Sequence, residues 1–305
     1  MAFFTIVIPC RNAETTLPAT LASLFAQDFT NWRAVIVDDA STDRTPAILD
    51  QAVLDPRVTV IRGDGAGPSP ARNRAAEGAE GWIAFLDADD IWPKDRLSHL
   101  ANAIEAGGGD AFYGVCGFFA DELSAPSAYS RPKPGALAAA DVLGENPTCT
   151  MSNLTIRADL WRSVGGLDPQ MVHAEDLDLL IRLTAAGARI IGLNSILTLY
   201  RTSPYGLSAD LAAMERGWRA CLARARSLGV ANDRLAAVAE ARQLRYLARR
   251  ALRLGAPGAA RLAARGVFAS PWGFFGDFRR GAITLIAAMA SPFIPKHIAH
   301  RLFAR

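Results

Sequence analysis

Three aspartates crowd into four positions after a short apolar run, in the segment FLDADD at residues 85–90. Ionised Asp87, Asp89 and Asp90 repel one another, so each makes ionisation of its neighbours more costly. A shared cation removes that cost, and carboxylate oxygens suit Mg²⁺ or Mn²⁺, which are usually held by a few carboxylates together with substrate phosphates. The segment therefore predicts a site for a cation and a phosphate. The alternative is that these acids only start the following turn and helix, which is the interpretation we prefer for Asp90.

The elements that must position these acids alternate along the first third of the chain. Short runs rich in β-branched residues predict buried strands at 5–9, 34–39, 58–63 and 82–89. Helical stretches follow them at about 15–27, 45–54, 69–79 and 94–106. This alternation predicts an α/β fold with a doubly wound, mostly parallel sheet. Polar residues cluster at the strand ends, which is where such sheets bind ligands.

The pattern changes after residue 110. We predict a strand at 111–120, a loop at 121–135, and a strand with a short helix at 152–168. A helix at 174–188 and a strand at 189–201 follow. From about residue 208 the chain is rich in Ala, Arg and Leu and reads as helical. The predicted domains are therefore 1–207, an α/β domain, and 208–305, a basic helical C-terminal appendage.

Charge and hydropathy limit the classes of protein to which this chain could belong. Residues 1–209 hold 16 basic and 25 acidic side chains, whereas residues 210–305 hold 17 and 5. No apolar run approaches the roughly 20 residues of a spanning helix, and the start lacks the basic region of a signal peptide. Four scattered cysteines indicate buried thiols in a reducing compartment. We expect a cytoplasmic protein, and no recognised module supports nucleic-acid binding.

The sequence fits two classes of nucleotide-binding protein poorly, the Rossmann-fold proteins and the nucleotidyltransferases. The turn after the first strand, PCRNAETTL, has no glycines to admit a pyrophosphate, as a Rossmann fold requires. The glycines of GDGAG (63–67) have the wrong spacing. A nucleotidyltransferase is also expected to place a glycine-rich loop after its first strand.

Three segments taken together resemble the family 2 glycosyltransferases with the GT-A fold. They are TIVIPCRNAETTLPATLASLFAQDFTNWRAVIVDDASTDRT, GPSPARNRAAEGAEGWIAFLDADDIW and AEDLDLLIRL, in the family's order over roughly residues 3–205. The resemblance implies transfer of a sugar from a nucleotide diphosphate donor, with inversion and a divalent metal, Mg²⁺ or Mn²⁺. The sequence DAD is similar to the family's DxD signature, whose cation is shared with the donor diphosphate.

The resemblance also implies a nucleotide pocket. Asp39 matches the acid that recognises the base, typically uracil, although an aspartate after a strand can also form an Asx-turn. Pro9 and Arg11 line the same pocket. Arg72 matches a basic residue near the nucleotide and its phosphates, although an arginine on a helix is more often a solvated or paired side chain.

The catalytic residues follow in the same way. Asp87 is expected to face the ribose or the metal, and Asp89 to bind the metal. Glu175 and Asp176 match the family's ED pair, with Asp176 as the general base that takes the proton of the acceptor hydroxyl. The alternative is that these acids only favour a helix N-terminus. Glu175 and His173 are candidates for contact with the acceptor or for support of the base.

We therefore expect a non-processive inverting glycosyltransferase of bacterial polysaccharide assembly. Its donor would be a nucleotide-diphosphate sugar, typically a UDP-sugar, and its acceptor a glycan or a lipid-linked glycan. The chain has no QxxRW motif, which processive members carry. The alternatives are an inactive nucleotide-sugar-binding scaffold and a nucleotidyltransferase.

The basic C-terminal region suggests a partner of its own. Residues 270–305 combine aromatic side chains with arginines and an apolar stretch at 282–294. This composition predicts peripheral contact with the anionic inner face of the cytoplasmic membrane. The alternative is that the region packs on the acidic part of the chain.

Overall fold

The computed structural model describes residues 2–120, 125–203 and 209–291. The chain divides into two compact units. Unit 1 comprises Met1–Leu137 and Pro147–Thr202, and unit 2 comprises Ala138–Asn146 and Ser203–Arg305. Residues 138–146, which the sequence analysis left inside the first domain, therefore belong with the C-terminal helices.

The first half of unit 1 is a parallel sheet. Its strands lie in the order β3-β2-β1-β4 and are all parallel to their neighbours: β1 (Phe4–Cys10), β2 (Trp32–Asp38), β3 (Val58–Arg62) and β4 (Trp82–Phe85). The connecting helices are α1 (Leu17–Phe25), α2 (Thr45–Ala52) and α3 (Pro68–Ala75), and α4 (Arg96–Ala106) follows β4. Each of α1, α2 and α3 has a proline in its first turn. Proline is tolerated there because the N–H groups of the first turn have no acceptor within the helix. The predicted alternation of strands and helices is confirmed.

The second half makes the sheet mixed. After β5 (Ala111–Phe119) and β6 (Ala128–Tyr129), the chain continues through α5 (Ala139–Val142), β7 (Thr155–Arg157), α6 (Ala158–Ser163), α7 (Glu175–Ala185) and β8 (Ile190–Arg201). Strand β7 lies between β4 and β5 and is antiparallel to both, whereas β8 is parallel to β5. The prediction of a mostly parallel sheet is confirmed, since β1 to β4 and the β5–β8 pair are parallel, and the short strands β6 and β7 add the antiparallel pairings. The strand and short helix predicted within 152–168 are β7 and α6, although the strand begins only at Thr155, after a 3₁₀ turn at Met151–Asn153.

The core of unit 1 fixes the edge at which the acids lie. Residues of β1, β2 and β4 pack against α1, α2 and α4, with Phe4, Ile36 and Leu100 fully buried. Strand β4 ends at Phe85 rather than at residue 89, and the N–H of Asp90 donates to the carbonyl of Asp87 at 3.1 Å. The three aspartates therefore occupy a turn beyond the carboxyl end of β4.

Unit 2 is helical over its described residues, as predicted. Besides α5 it contains α8 (Leu211–Ser227), α9 (Asp233–Leu254), α10 (Ala259–Ala269), α11 (Pro271–Phe274) and α12 (Phe278–Ala290). A small core of alanines, leucines and Phe274 joins α9, α10, α11 and α12. Across the described ranges, the helices are all too short or too polar to cross a bilayer. The end of the predicted apolar stretch, beyond residue 291, lies outside the described residues.

Candidate functional site

Asp39 holds the glycine loop that follows β3. Its Oδ1 accepts a hydrogen bond from the N–H of Gly65 at 3.0 Å, and its Oδ2 accepts one from Gly67 at 2.8 Å. Both glycines have positive φ, +84° and +105°, which side chains disfavour. The Asx-type bond that we considered for Asp39 is made instead by Asp38, whose Oδ1 accepts from the N–H of Ser41 at 3.2 Å. Asp39 is therefore the residue that shapes this loop.

Arg11 and Pro9 lie beside Asp39. Arg11 Nη1 is 3.8 Å from Asp39 Oδ2 and 3.4 Å from the carbonyl oxygen of Gly65. Its side chain is 54% exposed, so much of the guanidinium remains open to solvent. Pro9 is a partly buried residue of β1 and pairs in register with Val37 of β2. The structure thus brings together all three residues that were predicted to line a nucleotide pocket.

Arg72 joins the two acidic motifs. From α3 its Nη2 donates to Asp87 Oδ1 at 2.6 Å, and its Nη1 donates to Glu175 Oε1 at 3.0 Å. The arginine side chain is only 7% exposed. Burial alone would lower the pKa of Arg72, but the charges of Asp87, Glu175 and Asp176 outweigh it and raise this pKa. Arg72 is thus a buried, paired cation rather than a solvated surface side chain.

Asp89 is the exposed acid of the turn. Partial desolvation by the surrounding protein and the charge of Asp87 raise the pKa of its carboxyl to about 6. A cation close to this carboxyl would favour its ionised form. The carboxylate of Asp87 has a further partner, since its Oδ2 accepts a hydrogen bond from Thr150 Oγ1 at 3.2 Å.

These two aspartates suit a cation that a substrate helps to hold. In the described part of the chain, no three carboxylate, imidazole or thiol groups converge on one point, so the protein offers no complete cage. Mg²⁺ and Mn²⁺ do not need one, because they are commonly bound by one or two carboxylates together with substrate phosphates. The chemistry of Asp89, with Asp87 beside it, therefore fits such an ion.

Asp90 has a structural role, but not the one we preferred for it, because its side chain binds the end of β8 rather than capping the following helix, which begins after Asp95. Asp90 is fully buried, its Oδ1 accepts from the N–H of Arg201 at 3.0 Å, and its carbonyl oxygen accepts from Thr20 Oγ1 at 2.8 Å. Burial and the charges of Asp89 and Asp87 raise its pKa well above the usual range. Asp90 thus fixes the turn from inside the protein.

Three residues of the site escaped the sequence analysis. Arg201, at the end of β8, donates from Nε to the carbonyl oxygen of Asp89 at 2.8 Å. Ser152 Oγ accepts from the N–H of Asp87 at 2.9 Å, and Thr150 contacts the Asp87 carboxylate as described above. A signal for the first was available, because Arg201 lies in the segment LYRTSPYGLS (199–208), which stands roughly where a QxxRW motif would fall. Thr150 and Ser152 carried no such signal, since polar residues before a strand are common.

Asp176 lies in the first turn of α7 and its carboxyl is difficult to ionise. Burial and the neighbouring charge of Glu175 raise the pKa of Asp176 to about 7, against the opposing influence of Arg72. Burial also raises the pKa of Glu175, while Arg72 opposes the change. A carboxyl whose pKa lies near neutrality is well matched to exchanging a proton with a hydroxyl. A helix cap alone would have no need of this property.

The neighbours of this pair have other roles. Asp178 is buried and forms an ion pair with Arg182 at 2.8 Å, which is a structural role within α7. His173 lies two residues before Glu175, partly buried, and its ring makes no hydrogen bond to another described residue. His173 is therefore close to Glu175 and Asp176 in the sequence, but its ring is not hydrogen-bonded to either acid. Trp161 is buried against Phe85, with ring centroids 5.2 Å apart.

Backbone strain is concentrated around these residues. Among the described residues, positive φ outside glycine occurs at Asn12, Ala40, Cys149 and Ala174. Asn12 follows Arg11, Ala40 follows Asp39, Cys149 precedes Thr150, and Ala174 precedes Glu175. Such conformations cost of order 1–3 kcal/mol each and tend to persist at functional sites. The strain thus marks the same edge of the sheet as the charges do.

Comparison with known proteins gives the family. The model of the family described as "Glycosyl transferase family 2" matches residues 5–162. The succinoglycan biosynthesis protein ExoO of Rhizobium meliloti is 40% identical over 106 residues, which cover 34% of this chain and 30% of ExoO. The Escherichia coli protein WfaP, a UDP-Glc:alpha-D-GlcNAc-diphosphoundecaprenol beta-1,3-glucosyltransferase, is 26% identical over 216 residues, which cover 69% of this chain and 81% of WfaP. The chain spans less than two fifths of the length of the relatives that it matches at about 40% identity.

Solved structures with the same fold cover nearly the whole chain. Staphylococcus aureus TarS 1-349 in complex with UDP-GlcNAc superposes with a TM-score of 0.66 at 18% identity, covering 99% of this chain and 90% of that one. The mannosyltransferase PcManGT of Pyrobaculum calidifontis, in complex with GDP-Man and Mn²⁺, gives 0.59 at 19% identity, covering 95% and 86%. At these identities the likeness shows the fold, and it confirms the predicted GT-A type.

Proposed function

Since this chain belongs to glycosyl transferase family 2, we propose that it transfers a sugar from a nucleotide-diphosphate donor to a hydroxyl of a glycan or lipid-linked glycan, with inversion. The observation that carries the proposal is the bridge made by Arg72. It holds Asp87 of the DAD turn and Glu175 of the ED pair on one guanidinium, beside a carboxyl at Asp176 whose pKa is about 7. A binding scaffold would have no use for an acid tuned to neutral pH.

The donor binds at the carboxyl edge of β1 and β2 in this proposal. Both carboxylate oxygens of Asp39 accept hydrogen bonds from N–H groups of the glycine loop. Each oxygen has a further lone pair, which could accept a hydrogen bond from an N–H of the nucleotide base. Arg11, half exposed beside it, supplies positive charge toward the nucleotide. We propose a UDP-sugar as donor, since TarS, with the same fold, has been seen with UDP-GlcNAc.

The chemical step follows from Asp176. The acceptor hydroxyl attacks the anomeric carbon from the face opposite the leaving group and passes its proton to the Asp176 carboxylate. The bond from the anomeric carbon to the diphosphate oxygen breaks, and its electron pair leaves with the nucleotide diphosphate. Attack from the opposite face inverts the anomeric centre. Glu175 positions the base by fixing Arg72, and His173 is a candidate for contact with the acceptor.

A divalent cation is part of this proposal. Asp89, assisted by Asp87, would hold Mg²⁺ or Mn²⁺. When bound, the ion would neutralise charge that develops on the leaving diphosphate. The Mn²⁺ in the complex of PcManGT supports the choice of ion. Arg72 and Arg201 supply fixed positive charge to the same turn.

The acceptor and the cellular setting extend the proposal. ExoO is named for succinoglycan biosynthesis, and WfaP is named for transfer of glucose to a diphosphoundecaprenol-linked GlcNAc. We propose a comparable glycan or lipid-linked acceptor here. A lipid-linked acceptor would be reached most readily by an enzyme that touches the membrane peripherally on its cytoplasmic side.

Nucleotide release tests the function directly. The full chain would be incubated with Mn²⁺ or Mg²⁺ and a panel of UDP-, GDP- and dTDP-sugars, and both free nucleotide diphosphate and pyrophosphate would be measured. UDP release that requires the metal and falls in Asp176→Asn supports the proposal. Pyrophosphate as product would identify a nucleotidyltransferase. Donor binding with no release of either product, with and without added glycan acceptors, would identify an inactive scaffold.

A further inference from the structure

The outward face of α12 is apolar. On its inward face Gly281, Thr284 and Ala288 are buried, as expected for a helix that packs on its neighbours. The opposite face carries Ile283, Ile286 and Met289, which are 52%, 69% and 56% exposed. A surface helix normally turns polar residues to this side. We call these three residues the apolar stripe.

Large aromatic side chains are exposed close by along the chain. Phe268 at the end of α10, Trp272 in α11 and Phe278 at the start of α12 are 89%, 88% and 75% exposed. A single exposed ring needs no explanation, but here three lie within eleven residues of the chain. An exposed apolar surface of this kind marks an interaction site rather than a solvated face.

A cluster of arginines lies at the N-terminal end of the stripe. Arg245, Arg249 and Arg253 are spaced four apart and therefore share one face of α9. Arg280 of α12 approaches the same face, since its charge lowers the pKa of both Arg249 and Arg253, for which burial is the larger cause. We call these four residues the arginine cluster.

The cluster contains more positive charge than its surroundings balance. Among the residues that the structure describes, two carboxylates face the four arginines: Glu145 pairs with Arg245 at 2.8 Å and lies 3.7 Å from Arg280, and Asp277 lies 3.6 Å from Arg280. The described residues offer Arg249 and Arg253 no carboxylate within 4.0 Å. The Nε atoms of Arg245 and Arg253 are buried without a hydrogen-bond acceptor. Crowded, partly buried cations of this kind are stabilised when an anion is shared among them.

We propose that unit 2 docks on an anionic phospholipid bilayer, with the apolar stripe in the headgroup–acyl boundary and the partly exposed members of the arginine cluster, Arg249, Arg253 and Arg280, on lipid phosphates. Trp272 and Phe278 join the stripe at the boundary, where aromatic rings with arginines beside them are favoured.

Charge and length identify the bilayer as the occupant. Between residues 210 and 291 the chain carries 14 arginines and 5 acidic residues, which complements an anionic surface. A helix of 13 residues is about 20 Å long and cannot cross a hydrocarbon core of about 30 Å. It can lie along the surface, where one face stays in protein and the other enters the lipid boundary. The docking is independent of sugar transfer, so vesicle binding and nucleotide release can fail separately.

Vesicle sedimentation tests the surface. The full chain would be mixed with vesicles of phosphatidylcholine alone or with phosphatidylglycerol, at low and high salt. We expect binding to the anionic vesicles that weakens with salt. Ile286→Asp should weaken it on the order of tenfold by removing a buried apolar side chain and adding a negative charge. Arg249→Gln combined with Arg253→Gln should lower affinity for anionic vesicles about fivefold for each arginine.

Matched substitutions separate the surface from general effects. Leu54→Asp changes a residue of unit 1 that is 76% exposed, and Arg234→Gln removes a charge at the start of α9, far from the cluster. Both should bind vesicles like the unmodified chain, and all variants should keep its thermal midpoint or exceed it. The proposal is wrong if the unmodified chain stays in the supernatant of anionic vesicles at low salt. It is also wrong if Arg234→Gln weakens binding as much as either cluster substitution, or if light scattering shows that Ile286→Asp only dissolves a dimer.

Discussion

The guanidinium of Arg72 contacts the carboxylate of Asp87 at 2.6 Å. The two residues are fifteen positions apart: Arg72 lies in α3, and Asp87 lies just beyond β4, the strand that follows α3. The same guanidinium reaches Glu175 at 3.0 Å. Arg72 is thus the cation that holds the two acidic motifs of the family at one edge of the sheet. Several predictions about the site depend on this arrangement.

Removing Arg72 should destabilise the protein through the acids it leaves behind. Breaking a buried ion pair by removing one partner typically costs about 3–5 kcal/mol, and Arg72→Met should lower the free energy of unfolding by that amount. In a Glu175→Gln background the same substitution should cost less, with a coupling of about 0.5–3 kcal/mol, because one carboxylate no longer needs a partner. Urea denaturation of the four proteins measures both values. Additive effects would show that Arg72 and Glu175 do not stabilise each other.

Asp176→Asn should retain the donor and lose transfer. The amide is close in shape to the carboxyl but cannot accept a proton, and general-base catalysis typically contributes about 10²–10⁴-fold. Because the pKa of Asp176 is about 7, kcat/KM of the unmodified enzyme should rise as pH increases through 7 and level off above it. Steady-state kinetics over pH 5.5–8.5, together with UDP titration, measures both effects.

Asp178→Asn serves as the contrast to this substitution. Asp178 pairs with Arg182 on the same helix, so its loss should lower stability while leaving the pH dependence of transfer in place. Weak donor binding in Asp176→Asn, with normal turnover of the donor that does bind, would make Asp176 a binding residue.

Asp176 should also make stability depend on pH. Its folded pKa is about 7, above the usual value of 3.8, so the folded state holds a proton that the unfolded state releases. The stabilisation is complete below pH 3.8 and is lost as pH rises through 7. Asp176→Asn, which resembles the protonated acid, should therefore be more stable than the unmodified chain at pH 8, by at most about 4 kcal/mol, with a smaller difference at pH 5. Thermal denaturation of both proteins at pH 5 and pH 8 measures this effect. The prediction is contradicted if the difference in stability between Asp176→Asn and the unmodified chain is the same at both pH values.

Much of the site could be predicted because its residues follow strands. Parallel strands meet at one edge, so Asp39 and Asp87 had to come together once β2 and β4 were recognised. Glu175 and Asp176 are far away in sequence, and only the family resemblance linked them to that edge. The contacts of Arg72 with both motifs depend on side-chain geometry that no spacing rule contains.

The mixed part of the sheet was harder to predict for a physical reason. Strand β7 has three residues and lies between two longer strands, so it offers too few positions for a periodic pattern. Residues 138–146 contain one short helix and join unit 2 through tertiary packing. Within unit 2, Trp218 Nε1 donates to the carbonyl oxygen of Leu143 at 2.7 Å, a bond between residues 75 positions apart.

Asp39→Asn should weaken nucleotide binding through the glycine loop. Both carboxylate oxygens accept backbone N–H groups, and the amide nitrogen of asparagine would turn one of those bonds into a contact between two donors. An unsatisfied buried donor costs about 1–3 kcal/mol, so UDP affinity should fall roughly 5- to 100-fold. Isothermal calorimetry measures the change. Asp50→Asn, at an exposed position on α2, should bind UDP normally, and an unchanged affinity in Asp39→Asn would remove Asp39 from the nucleotide site.

Asp89→Asn should uncouple the metal from the nucleotide while leaving the fold intact. Asp89 is exposed, so its loss disturbs no core packing, and its pKa is raised to about 6 by desolvation and, next, by the charge of Asp87. In the unmodified chain we expect Mn²⁺ to raise UDP affinity, since the ion would be shared between Asp89 and the diphosphate. In Asp89→Asn the UDP affinity should be nearly the same with and without Mn²⁺, and the thermal midpoint of the free protein should not fall. Asp95→Asn, at an exposed aspartate before α4, is the matched control and should keep the full effect of Mn²⁺. If Mn²⁺ still strengthens UDP binding in Asp89→Asn as it does in the control, the ion is held elsewhere.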